Sequence, residues 1–392
     1  MKVYIQQSGR RIAPFDDPIS ETLIGNRPLR EWQAEMLASF ETIDEIVGPC
    51  LVVPDTLFAS PGILQQFVEL AAGRDAVLVL ASSRFAQSTT PIQPGVEPTE
   101  HGFRFTEIRF VANGSDPVDI LVDPDEAEMT IPLPAVFGGE AEIALPRHPL
   151  MTLHHWVHIL WANQAASSMV TRAVPWWKAA LRVLWAVIRA RSIDKWRVMA
   201  RLNTIGKGCD IHPTAVVEAS TLGDNVTIGP FARVAFSTLG DGATVLSGAE
   251  VEASTLGAGA TVGQRSGLRM CVLYPEAFAS QVQMQACVLG RRVLTTPGSY
   301  SMDLNLDNEI RVPLDGKLHS TGSQFMGSAF GHRAKVGTGI WLASGRAIPN
   351  DAFIVKNPEE VVTRVPEVAP EGPMVNHSGT LEPLSTARPD KA

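Results

Sequence analysis

Cysteine is scarce and scattered in this chain. The four cysteines among 392 residues, at positions 50, 209, 271 and 287, form no CxxC pair and no disulfide-rich pattern. This excludes a small disulfide-stapled fold and a zinc ribbon. An excess of positive charge is also missing, and the net charge of −8 argues against nucleic acid as a partner. The first residues, Met1 to Gln6, contain no apolar run of the kind that directs secretion, so the expected compartment is cytoplasmic. The apolar run that begins at Trp176 is interrupted by Arg182 and Arg189, which leaves it too short and too charged to cross a bilayer. His154, His155 and His158 place two residues at i,i+4 with no carboxylate beside them, the pattern of a helix face rather than a metal site. The rest is the composition of a globular protein, 45% hydrophobic and 19% charged, long enough for two or three domains.

The second half of the chain is periodic. Asn-Thr-Ile-Gly stands at 203–206, and Ser-Thr-Leu-Gly follows at 220–223, 237–240 and 254–257. Cys-Val-Leu-Tyr at 271–274 and Cys-Val-Leu-Gly at 287–290 complete the series, with spacings of 17, 17, 17, 17 and 16. Aliphatic residues recur inside each period at steps of five, six and six, as in Leu222, Ile228, Val234, Leu239, Val245 and Val251. No α-helix has that period. It predicts a parallel β-helix in which three short strands form one coil, each strand places one aliphatic inside, and stacking buries what a single coil cannot. The period lapses over 291–325, an expected excursion, and returns at Phe330, Val336, Leu342, Ile348 and Ile354. Cys271 and Cys287 occupy the corner position that Ser holds in earlier coils, and read as small buried filler.

Residues 1–150 read as an α/β domain. Val3–Gln6 is an expected first strand, followed by a Ser8-Gly9-Arg10-Arg11 turn that could face a phosphate. Helical spacing covers 30–40 and 61–72, with buried-type strands at 50–53 and 76–81. Such alternation favours a doubly wound sheet whose ligands sit beyond the carboxyl ends of its strands. The Pro-, Gly- and acid-rich stretch 89–139 gives no clear pattern.

Residues 151–201 are expected to be linker helices, rich in Trp and basic. From Arg172 to Arg201 there are eight Lys or Arg and one Asp, a local +7 that leaves −15 for the rest of the chain. Trp177, Leu181, Leu184, Trp185 and Ile188 fall on one face. That face either packs between two domains or lies on an anionic membrane surface or acidic partner. Residues 358–392, rich in Pro, Glu and Ser, read as a mobile tail.

An α/β domain, linker helices and a hexapeptide β-helix, in that order, resemble the bifunctional N-acetylglucosamine-1-phosphate uridyltransferase and glucosamine-1-phosphate acetyltransferase family (GlmU). The resemblance spans 1–357 and is strongest in the carboxy-terminal half. There, Thr296-Pro297-Gly298-Ser299-Tyr300, the segment 321–327, and Gly331-His332 with Ala343 to Ile348 look like the family's excursion and closing coils. In the amino-terminal half, residues 8–11 occupy the place of the Gly-rich loop. Leu23 to Leu29 look like the sugar-nucleotide segment, and Val53 to Ser60 like the Gly-Asp-x-Leu segment.

The resemblance implies a nucleotidyltransferase-like domain over 1–150 and a left-handed β-helix over 202–357. The assembly it implies is usually a homotrimer with acyl-CoA sites between neighbouring helices. It further implies a sugar phosphate or nucleotide sugar as substrate. Gly9, Arg11 and Arg27 would bind phosphates, Asp55 would hold Mg²⁺, and Arg333 and Arg346 would lie near acyl-CoA phosphates. The family's general base falls at Ser280 or Gln281, neither of which takes up a proton at neutral pH, so His332 becomes the candidate base. The loop keeps one glycine where the family has several, and the family's phosphate-neutralising Lys is replaced by Ser20-Glu21 or Glu21-Thr22. The expected activity is therefore nucleotidyl or acyl transfer with only one site retained, or else a silent oligomeric scaffold that binds through 172–201.

Overall fold

A computed structural model describes residues 1–132, 139–368 and 372–384. The amino-terminal half is built on one mixed sheet. Its strands are β1 (Lys2–Gln6), β2 (Glu41–Ile43), β3 (Cys50–Pro54), β4 (Ala76–Ala81), β5 (Gly102–Val111) and β6 (Val118–Val122), in the spatial order β6-β4-β5-β3-β1-β2. β5 runs antiparallel to both neighbours and every other adjacent pair is parallel. β3 and β4 are buried on nearly every residue, which is why they read in the sequence as unbroken apolar runs. α1 (Leu29–Met36) and α2 (Pro61–Ala71) cover the sheet. α2 starts where Ser60 Oγ accepts the Ile63 N–H and Pro61 takes the first turn. Strands at Val96–Pro98, 102–111, 118–122 and Glu126–Pro132 fill the stretch that had no sequence pattern, while 133–138 lie outside the described residues.

α3 (Trp156–Ala173) is buried along most of its length. Beyond Trp176 the basic stretch is two helices. α4 (Trp176–Ala190) ends at Arg191 in a left-handed conformation, and α5 (Lys195–Met199) restarts at Asp194, whose carboxylate accepts the Arg197 N–H. Asp194 breaks the helix because it is better used as a cap than as a helical interior residue.

From Thr204 to Ile354 the chain is a left-handed parallel β-helix with three faces of eight, eight and seven strands. Each strand pairs in parallel with its counterpart one coil later, for example Leu222 with Leu239 and Val234 with Val251. The repeated corner residue has a physical reason. Asn203 Oδ1 accepts the Ser220 N–H, Ser220 Oγ the Ser237 N–H, Ser237 Oγ the Ser254 N–H, and Ser254 Oγ the Cys271 N–H. The ladder closes with the Ser328 N–H on Cys287 Sγ. The glycine three places on answers a different need. A Cβ on Gly240 or Gly257 would sit 2.7 or 2.5 Å from a backbone nitrogen of the next coil.

One irregularity of the spacing is explained here, and one expectation changes. The coil that is one residue short keeps its register on all three faces, because the turn Ser280–Val282 absorbs the deletion. The excursion is also shorter than 291–325, since Leu294–Thr295 and Tyr300–Ser301 are ordinary coil strands and the chain leaves the stack only after them. The period was hidden because Thr295 and Ser301, both buried, stand where other coils place aliphatics. In the carboxy-terminal segment, a hairpin at Met374–His377 and Thr380–Pro383 is ordered, while 369–371 and 385–392 lie outside the described residues.

Thr295 Oγ1 is buried and has no hydrogen-bond partner among the described residues. Thr295→Val keeps the shape and removes the unsatisfied hydroxyl. It should stabilise the protein by about 1–2 kcal/mol in chemical denaturation, and a loss of stability would show that the hydroxyl is in fact satisfied.

Candidate functional site

The crevice beyond the carboxyl ends of β1 and β3 is where this sheet type places ligands. Here it is occupied by its own side chains. Both Asp55 carboxylate oxygens are taken, Oδ2 by the Ser8 N–H at 2.9 Å and Oδ1 by the Ser8 hydroxyl at 2.7 Å. Gly9 turns the loop with φ +62°. Arg11 reaches the Asp16 carbonyl at 2.5 Å and its carboxylate at 3.9 Å. Arg27 lies over the Trp32 ring and pairs with Glu35 at 2.8 Å and Glu31 at 3.5 Å, which raises its pKa further. Asp55 is thus engaged in holding the Ser8 turn and has no second acid beside it, and among the described residues no group of three His, Cys, Asp or Glu could hold a metal ion.

The same loop runs on to the β-helix. Phe15 stacks on Tyr274, with ring centroids 5.4 Å apart, and its carbonyl accepts from Asn350 at 2.8 Å. Asp17 Oδ2 accepts from Arg291 at 2.6 Å and faces His332 Nε2 at 3.1 Å. The segment that looks like the sugar-nucleotide loop docks beside it. The Leu23 N–H donates to the Tyr274 hydroxyl at 3.2 Å, and Asn26 donates to the Leu256 carbonyl at 2.7 Å. Around these polar contacts one apolar cluster joins Phe15, Ile19 and Leu29 to Trp156 of α3 and to Val272 and Val288 of the β-helix.

His332 has no free ring nitrogen. Its Nδ1 accepts the Arg291 N–H at 2.8 Å, which leaves the proton on Nε2, directed at Asp17. The ring is buried against Phe15 and Tyr274. Burial alone would raise the Asp17 pKa, but the hydrogen bonds and charges of His332 and Arg291 outweigh it and hold the carboxyl below its usual range. Arg333 forms a two-point pair with Asp351, both contacts at 2.6 Å, and Arg346 donates to the Arg311 carbonyl at 3.3 Å. The structure thus brings His332 to the loop of Gly9 and Arg11, but as a joint between domains.

Asp17, Tyr274, Arg291 and Asn350 were not found from the sequence. One signal was present. The outward-facing column Thr221, Thr238, Thr255 becomes Val272, Val288 and Ala329, and the glycine of the corner motif becomes Tyr274.

The three clustered histidines are structural. His155 caps α3, His158 Nδ1 accepts the His154 and His155 N–H groups, and His158 Nε2 donates to the Pro91 carbonyl at 3.1 Å. Burial, the largest cause in each case, pushes their pKa values down to about 3 for His154, about 4 for His155 and about 3 for His158.

Two surface clefts lie on the β-helix. One, of about 150 Å³, is lined by Glu276, Arg291, Arg292 and Arg333, whose charges are already paired. The other, of about 260 Å³, lies on the third face where the excursion leaves, and includes Glu252, Arg269, Gln283, Tyr300 and Asp303. Burial pushes the Asp303 carboxyl up, and the Asp303 charge in turn raises the Tyr300 phenol.

No protein-family model and no curated protein matches the chain. Among solved structures, a Bacillus cereus protein described as a "putative acetyltransferase" is 13% identical and covers 37% of this chain and 78% of its own. With a TM-score of 0.16 it adds nothing on function.

The buried histidines stay neutral in the folded state and protonate in the unfolded chain below about pH 6.5. Their contribution to stability is therefore complete above that pH and lost as pH falls toward 4. Between about pH 7.5 and about pH 5.5 each should cost about 1.4 kcal/mol, roughly 4 together, in chemical denaturation. His154→Gln should flatten the profile by one proton, and a pH-independent stability over this window would refute the assignment.

Proposed function

We propose that this protein is a GlmU-like chain that works as an oligomeric scaffold, with its inherited site positions turned into the joint between its two halves. The observation that carries this reading is the Asp17–His332–Arg291 contact, flanked by Tyr274 on Phe15. A general base needs a ring nitrogen free to face its substrate, and a nucleotide site needs open backbone amides and unpaired cations. Here the base candidate is buried and doubly bonded, and the phosphate candidates are paired with the chain's own acids.

A second reading has one specific observation in its favour, the raised Asp303 carboxyl in the cleft beside Tyr300. A carboxyl raised by burial in a cleft is a candidate for proton exchange with a ligand. The cleft would then suit acyl transfer from an acyl-CoA thioester to an amine or hydroxyl of a sugar, with release of the free thiol.

On the first reading, UTP with Mg²⁺, a UDP-sugar or acetyl-CoA at about 1 mM, the top of the ordinary KM range, should neither raise the melting midpoint nor be turned over. His332→Ala should instead cost about 2–3 kcal/mol of stability, because it strips a buried partner from Asp17. Thiol release that disappears in Asp303→Asn would establish the second reading. Turnover lost in His332→Ala with melting unchanged would overturn the first.

A further inference from the structure

α4 and α5 expose their apolar side chains. Only Ala186 of α4 is buried, while Trp176 is 82% exposed, Trp185 63%, and Ile193 in the turn 92%. At 100° per residue, Trp177, Leu181, Leu184 and Ile188 form one stripe, Lys178, Arg182 and Arg189 lie along its flank, and the buried Ala186 falls on the side opposite the stripe. α5 repeats the combination, with exposed Trp196 between Lys195 and Arg197. Lys178 lies 5.3 Å from the Trp177 ring and Lys195 4.8 Å from the Trp196 ring.

The charges on this surface are unspent. Among the described residues, none of the Lys and Arg from 178 to 201 has a carboxylate partner, and the only acid of the stretch, Asp194, caps α5. Elsewhere many arginines are matched, as in Arg84 with Glu128, Arg233 with Glu218 and Arg333 with Asp351.

The geometry points to the surface of an anionic bilayer as the partner that covers α4 and α5. Fifteen residues make a helix about 22 Å long, short of the roughly 30 Å hydrocarbon core. Among the described residues no helix is long and apolar enough to cross a membrane. α4 instead lies along the interface, its Trp and Leu side chains among the upper acyl carbons and its Lys and Arg on the lipid phosphates. The face spreads over two helices and the turn between them, which suits a plane better than a groove. This placement is independent of whether the chain turns over a substrate.

The test uses the full-length protein and vesicle flotation. The protein should float with phosphatidylcholine vesicles that contain phosphatidylglycerol, stay behind with phosphatidylcholine alone, and release as salt rises. Its Trp emission should shift to the blue on binding. Arg182→Glu with Arg189→Glu, and separately Leu184→Asp with Trp185→Ser, should each weaken partitioning at least about tenfold. Melting should be unchanged in both, since these side chains are exposed. No flotation with anionic vesicles, or equal flotation of the variants, overturns the proposal. A sedimentation-velocity shift from a larger to a smaller species in the variants also overturns it, by making the face a contact between copies.

Discussion

A partly buried carboxylate must be matched, and the way Asp17 is matched decides the shape of this molecule. Its partners, His332 and Arg291, lie 315 and 274 positions away on the β-helix. Once the carboxylate leaves water it can be satisfied only where those two coils are already stacked. The apolar ring of Phe15 on Tyr274 supplies the attraction, and the ionic contact supplies the register. Neither half could shift against the other without leaving a charge dry.

That constraint explains the fate of the positions a transferase would use. The loop after the first strand and the segment 23–29 ordinarily lie over an open crevice, free to close on a ligand. Here the first lands on Tyr274 and His332, and the second on Tyr274 and Leu256. Asp55 is drawn into holding the first loop through Ser8. The cleft on the third face stands apart from this rearrangement, since none of the joint residues Phe15, Asp17, Tyr274, Arg291 and His332 lines it.

The coils were legible because every interior place asks for an aliphatic and every corner for a side chain that accepts one N–H. Legibility failed where the interior turned polar, at Thr295 and Ser301, and where a break was made by Arg191 without a glycine. β3 and β4 were legible because both of their faces are covered. The candidate site residues could be named from resemblance, but their partners could not. Asn350 and Phe15 are 335 positions apart, and no period or spacing links such residues. The change from Thr255 to Val272 and Val288 was visible but had no meaning until the amino-terminal half was seen against it.

The joint also sets an order of events during synthesis. Each coil hydrogen-bonds a neighbour about seventeen residues away, so the β-helix can grow as it emerges. Phe15, Ile19 and Leu29 belong to a cluster that also draws on the distant β-helix. They leave the ribosome early, and although Trp156 and the rest of α3 can cover part of them, their contacts with Val272 and Val288 wait until those coils have been made. The oldest part of the chain is thus the last to be finished, with part of its apolar surface waiting for the β-helix.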